Sequence, residues 1–292
     1  MLYESRLGPN GAPSGPIYAM DSSDNILTAA GTAPTGRWFI DADLYVLDGI
    51  TLEVISLDKG GDADTLRIES TSSAFHNLRG HGGSLYFEGT TVTSWDPSAG
   101  GPREEYDGGR SYISCISEVL GFDGGCSAGA AKNQMGECRM DILSSEMGYL
   151  GWFDSESYGL TWKVRGLCVD LSNVELFDDV NVYGDIKDSD IHHMYYGMYS
   201  YGHQGGVWTN NKMHDNVEYG FDPHDDSDLL TISDNEVYNN GNHGIIASKR
   251  CNGATITNNY VHDGTGLIAA GIFLHRSSDD AVVSGKLIVD IA

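Results

Sequence analysis

The sequence reads as an all-β protein coiled as a parallel β-helix, and three observations carry that reading. First, three segments repeat in the C-terminal half: Asn211-Lys-Met-His-Asp-Asn216, Asn235-Glu-Val-Tyr-Asn-Asn240 and Asn259-Tyr-Val-His-Asp-Gly264, each leading Asn 24 residues after the last. Second, a Gly and an apolar run follow each segment. These are Gly220-Phe221, Gly244-Ile245-Ile246 and Gly271-Ile272-Phe273-Leu274, with glycines spaced 24 and then 27. Third, 38 Gly against 7 Pro, with few long helical stretches, marks a folded, turn-rich chain.

Each element follows from that period. A repeat in the low twenties, with short strands and polar turns, matches one coil of a parallel β-helix. Successive coils then stack about 4.8 Å apart. The asparagines are expected at turns, where Asn tolerates left-handed backbone and can stack on its copies. A weaker copy, Ile191-His-His-Met-Tyr-Tyr-Gly197, places its Gly 23 residues before Gly220. A leucine-rich repeat would need a leucine pattern that is absent, and a β-sandwich would need no fixed register. Toward the N-terminus, Leu66–Glu69, Ser84–Glu88 and Thr90–Ser94 alternate like strands. Residues 97–135 are rich in Gly, Ser and charge and read as loops. No linker stands out, so residues 1–292 are expected to form one domain. The final apolar run, Leu287-Ile-Val-Asp-Ile-Ala292, reads as a coil cut short before a cap. The N-terminus has no apolar signal-peptide core, and no stretch is long enough to span a bilayer.

A net charge of −25 disfavours nucleic acid and anionic membranes as partners and makes the few cations worth locating. Lys249, Arg250 and Arg276 fall near the ionisable segment described next. Of five cysteines, Cys115, Cys126 and Cys138 lie close enough in sequence for one disulfide in an N-terminal loop region; buried free thiols are the alternative. The odd number leaves at least one thiol unpaired. No Cys-x-x-Cys pair suggests zinc, and no metal site is assigned.

Tyr219-Gly-Phe-Asp-Pro-His-Asp-Asp-Ser227 packs a phenol, carboxylates and an imidazole into nine residues. The repeat turns this into geometry. Four places after each Gly stand His224, Ser248 and His275; five places after stand Asp225, Lys249 and Arg276. Equal offsets in neighbouring coils sit one strand spacing apart. Alternation points Ile245, Ala247, Ile272 and Leu274 inward, and Asp222, His224, Ser248 and His275 outward. Lys249 has the wrong parity and reaches that face only if the strand ends near Ser248. Eight of the ten histidines fall between His192 and His275, which weakens a purely structural reading of the group. Asp222, Asp225, Asp226 and Asp228 read either as a solvated turn or as a calcium site of oxygen ligands.

These residues resemble the signature of mannuronan C5-epimerases. His243-Gly-Ile-Ile-Ala-Ser-Lys-Arg250 and Gly271-Ile-Phe-Leu-His-Arg-Ser277 are similar to it as well. Ser145-Glu-Met-Gly-Tyr-Leu-Gly151 and Tyr158-Gly-Leu-Thr-Trp-Lys-Val-Arg-Gly-Leu-Cys168 look most like the brown-algal branch. The likeness runs from about 15 to 285. It implies a right-handed helix and a secreted or cell-wall enzyme that inverts C5 of β-D-mannuronate within alginate. The cofactor expectation is none required, with calcium possible; the nonapeptide calcium modules of some bacterial members are absent. The partner is a polymannuronate chain and the enzyme is expected to be a monomer. Bacterial members similar at the neutralising position carry Arg where this chain has Lys249, so bidentate clamping is not assured.

By that resemblance and by chemical fit, His224 is the base, Tyr219 the proton donor and Lys249 the neutralising cation with Arg276 beside it. The two proton-transfer roles could be exchanged, or water could replace Tyr219. Asp222 orients His224 or Lys249, or binds a protonated substrate carboxyl. His243, His275, Arg250 and Tyr199 join Arg276 as substrate-binding residues, with Tyr195 and Tyr196 as sugar platforms. The same residues would serve a polyuronate lyase. A non-catalytic glycan-binding β-helix is the reading from another class.

Overall fold

The computed structural model describes residues 17–20, 23–24, 26–27, 35–120, 133–165, 180–285 and 287–291. The chain winds through three sheets of 11, 9 and 8 strands, and each coil contributes one strand to each. The first sheet holds Asp190–His192, Lys212–His214, Glu236–Tyr238 and Tyr260–Gly264. The second holds Gly159–Arg165, Tyr196–Tyr201, Phe221–His224, Ile245–Ser248 and Ile272–His275. The third holds Val207–Thr209, Thr231–Ser233, Thr255–Thr257 and Val282–Ser284. Pairing between coils is parallel. Antiparallel pairs occur where Ile17–Met20 meets its neighbours and where Tyr112–Leu120 meets Asn133–Gly136. The strands expected near residues 66, 84 and 90 are present as Thr65–Glu69, Ser84–Glu88 and Thr91–Trp95.

Like stacks on like inside the coil. Met147, Ile191, Met213, Val237 and Val261 form one inward column in register on the first sheet, all at most 1% exposed. Ile142, Ile186, Trp208, Ile232 and Ile256 form another on the third. Each side chain covers its copy above and below, which removes apolar surface from water along the whole axis.

The repeated asparagines form a buried ladder. Asn235 Oδ1 accepts from Asn211 N at 2.9 Å and Nδ2 at 3.0 Å; Asn259 Oδ1 accepts from Asn235 N at 3.0 Å and Nδ2 at 2.9 Å. A second ladder joins Asn216 to Asn240. Stacking is as expected, but the left-handed backbone sits one residue earlier, at Asn210, Asp234 and Asn258. The ladder asparagines turn inward to satisfy backbone groups that water cannot reach.

Gly197, Gly220, Gly244 and Gly271 also stack in register. A Cβ on Gly197 would lie 2.5 Å from Gly220 O, and one on Gly220 would lie 2.4 Å from Gly244 O. Close approach of coil on coil therefore excludes any side chain there.

Three expectations are corrected. Tyr112–Leu120 is a nine-residue strand, not loop. Ile113, Ser114, Cys115, Ile116 and Ser117 are all fully buried, so no alternation betrays it. The expected disulfide among the first three cysteines joins Cys115 to Cys138, but Cys115 lies inside that strand and not in a loop. Cys126, Cys168 and the last residue of the C-terminal run lie outside the described residues; Cys251 is free and buried. Leu274, expected inward, is 39% exposed because its strand is the last of the second sheet and no further strand among the described residues covers it. Among the described residues no helix is long and apolar enough to cross a membrane.

Candidate active site

The strand Phe221–His224 sets the site. Phe221 is fully buried and stacks on Trp208 at 5.9 Å, which anchors the strand to the core. That leaves Asp222 and His224 on the opposite face. Asp222 pairs with Tyr199, and His224 lies between Tyr201 and Ser248, which in turn pairs with His275. The equal-offset reading of the sequence is therefore the register of the sheet.

The strands then end in a stacked left-handed turn. Asp225 and Asp226 have φ 25 and 54, Lys249 and Arg250 have φ 60 and 62, and Arg276 and Ser277 have φ 52 and 59. Backbone bonds hold the turns together, Asp225 N to Ser248 O at 2.9 Å and Lys249 N to His275 O at 2.9 Å. This break after Ser248 rescues the parity of Lys249 and brings it onto the face of His224.

The result is a cleft of about 450 Å³. Asp222, His224, Lys249, Ser248, His275 and Arg276 line it, together with Tyr219, His243, Tyr196 and Tyr199. Tyr158, Ile246 and Phe273 complete it and were not singled out from the sequence. Two expected residues are elsewhere. Tyr195 packs on Tyr106 and Phe153, outside the lining. Arg250 is also outside it, with its guanidinium on Asp226 at 2.6 and 2.8 Å and on Asp225 at 3.3 Å.

Asp225 is the residue that sequence reasoning undervalued. His224 Nδ1 donates to its Oδ2 in a short hydrogen bond, and Lys249 Nζ lies 3.5 Å from the same oxygen. Asp225, not Asp222, orients the imidazole. Burial opposes its charge, but His224, Lys249 and Arg250 outweigh that and hold its carboxyl below the usual range. With Nδ1–H given to Asp225, the lone pair of His224 falls on Nε2, which has no hydrogen-bond partner among the described residues. The same contact recurs on the first sheet, where His214-Asp215 and His262-Asp263 also pair Nδ1 with the following Asp, each at 2.7 Å.

Asp222 is 3% exposed and its Oδ1 has no hydrogen-bond partner among the described residues. Burial, reinforced by Asp225 and opposed by His224 and Lys249, pushes it up to about 7. It is therefore available at neutral pH as a hydrogen-bond donor to a carboxylate. Burial, with Asp222 and Glu218 nearby, raises the Tyr219 phenol, which keeps its proton. Asp225 and Asp226 are engaged by cations, Asp228 accepts from Asn252 N at 2.6 Å, and among the described residues no three metal-ligating side chains converge.

With this geometry in hand, the chain can be set beside known proteins. Residues 164–292 match the family model for a right handed beta helix region. The periplasmic alginate epimerase AlgG has a solved structure that superposes with a TM-score of 0.69 at 23% identity, covering 87% of this chain and 53% of that one. The coil is right-handed. A mannuronan C5-epimerase of Pseudomonas fluorescens is 31% identical over 182 residues, 62% of this chain and 30% of that protein. One from Pseudomonas putida is 28% identical over 231 residues, 78% of this chain and 39% of the relative. Mannuronan C5-epimerase AlgG of Azotobacter vinelandii is 43% identical over 81 residues, 27% of this chain and 15% of the relative. The chain thus spans well under half the length of these curated relatives. They are bacterial and give the brown-algal likeness no support.

Proposed function

We propose that this cleft epimerises β-D-mannuronate to α-L-guluronate at C5 within a polyuronate chain. One observation carries the reading: a base, a protonated phenol and a cation share one cleft, His224 with Nε2 open among the described residues, Tyr219 un-ionised and Lys249 paired with Asp225 at 3.5 Å. Similarity to proteins named mannuronan C5-epimerase supports the substrate class.

The chemistry follows from the acidity problem. The C5 proton adjoins a carboxylate whose charge opposes carbanion formation. Lys249 and Arg276 neutralise that carboxylate and stabilise the enolate-like charge as it grows. Asp222, sharing a proton near neutrality, hydrogen-bonds the same group. His224 Nε2 removes the proton from one face, its imidazolium stabilised by Asp225. Tyr219 returns one to the other face. Tyr196 and Tyr199 supply sugar platforms. Such a polymer is met outside the cytoplasm, and the solved epimerase above is described as periplasmic; we propose an extracytoplasmic setting. We propose a monomer in which side chains of this one chain carry every step.

The test is a pair of variants. His224→Ala removes the base and Tyr219→Phe the donor. Each is expected to lower guluronate formation by about 10²- to 10⁴-fold with the fold intact by circular dichroism. Wild-type rates in either variant would remove that residue from the mechanism. Unsaturated uronate in the wild-type reaction would make the protein a lyase.

A further inference from the structure

The residue before each stacked glycine forms a row of its own: Tyr196, Tyr219, His243 and Ala270 precede Gly197, Gly220, Gly244 and Gly271. Backbone bonds keep the row in step, Gly220 N to His243 O at 3.1 Å and Gly244 N to Ala270 O at 3.0 Å. Tyr219 is thereby clasped. Tyr196 meets it edge-on with ring centroids 4.9 Å apart, and His243 stacks on it at 5.7 Å and 27°.

The last member of the row closes it differently. Ala270 has no ring, and its backbone N–H donates to His243 Nδ1 at 2.9 Å. The coil that supplies it is longer, with 27 residues between glycines where the previous coil has 24. Phe273 packs edge-on against the other side of the imidazole at 4.9 Å. An Nδ1 that accepts an N–H cannot carry a proton, so the imidazole is the neutral Nε2–H tautomer with its plane fixed. Burial, with the charge of His275 adding, lowers its pKa and preserves that state.

We propose that His243 is a positioning residue that acts through Tyr219: the longer loop locks the imidazole by Ala270 N–H, and the locked ring holds the phenol on its face of the sugar. The proposal rests on the epimerase reading and replaces the expectation that His243 serves by binding substrate. Its chemistry separates two outcomes of one intermediate. His224 breaks the C5–H bond, takes the proton on Nε2, and the electron pair passes into the carboxyl as the enolate. Inversion forms a new C5–H bond with the Tyr219 phenolic proton on the opposite face, and solvent reprotonates the phenolate. If Tyr219 is misplaced, His224 still exchanges its proton with solvent and returns one to the original face. In D₂O that gives mannuronate deuterated at C5 without inversion.

The experiment measures both products by NMR for polymannuronate in D₂O. His243→Ala is expected to raise the ratio of exchange to inversion about tenfold, and Tyr219→Phe to raise it at least as much. Adding His243→Ala to Tyr219→Phe is expected to change nothing further, because the two act in series. His243→Phe, which keeps a flat ring, is expected to stay nearer the wild-type ratio than His243→Gln, which can accept from Ala270 N–H but offers Tyr219 no ring. This second pair carries the test if the alanine variant fails to fold. An unchanged ratio in His243→Ala, an additive loss in the double variant, or Gln outperforming Phe would overturn the assignment. Wild-type protein that yields neither exchange nor inversion would overturn the epimerase reading itself, and the assignment with it.

Discussion

At the scale of single residues, Asp225 decides how the site works. It takes Nδ1–H of His224, faces Lys249 at 3.5 Å and is held in turn by Arg250. An amide in its place would accept the same hydrogen bond but would not balance the imidazolium. Asp225→Asn is therefore expected to lower turnover by about 10²- to 10⁴-fold with little change in KM, measured on polymannuronate. Most of the site's membership was legible, because His224, Ser248 and His275 share one offset from the stacked glycines. The partner of His224 was not. Adjacent residues on a strand face opposite ways, and only the left-handed turn at Asp225, φ 25, folds that carboxylate back onto the imidazole. The same turn, repeated at Lys249 and Arg250, sends one cation into the cleft and its neighbour to Asp226.

At the scale of elements, the ladders make the coils specific. Asn235 is 2% exposed; its amide donates to Trp208 O and Asn259 Oδ1 and accepts from Asn211. Asn235→Ala would leave several of these buried groups unpaired and is expected to destabilise by about 2–4 kcal/mol in urea unfolding. A ladder of rings stacks His192, His214, Tyr238 and His262 on the first sheet. Asp190 and Asp215 contact the two nitrogens of His214 at 2.8 and 2.7 Å. Burial opposes its protonation, but the two carboxylates win and raise its pKa above 6.5. A raised folded-state pKa gives stability that is fully present below the unfolded value. That stability is lost as pH rises through the folded one. Wild type should therefore lose more thermal stability than His214→Gln between pH 6 and pH 9, by roughly 2 °C. Equal losses would show that the clasped imidazolium contributes nothing. The repeat exposed the asparagine ladder in the sequence; the ladder of rings became visible only in the structure. The strand Tyr112–Leu120 stayed hidden because both its faces are buried and its small polar residues mimic a loop.

At the scale of the whole molecule, the proposed function asks a chain of net charge −25 to bind a polyanion. Two of its cations, Lys249 and Arg276, line the cleft, and Arg276 has no ion-pair partner among the described residues. At low ionic strength the overall field repels the substrate, and salt screens that repulsion over about 10 Å at 0.1 M. kcat/KM is therefore expected to rise as salt increases from about 10 to 100 mM; a monotonic fall would show that the local cations dominate the approach. The period of 24 made the coil readable from the C-terminal half, while the N-terminal coils, with longer and less regular connections, showed strands without register. The most direct test of the central claim is proton NMR of polymannuronate incubated with this protein in D₂O. The account predicts guluronate signals carrying deuterium at C5, with chain length unchanged and no unsaturated ends. Unsaturated ends on shortening chains, or a polymer left wholly unaltered, would contradict it.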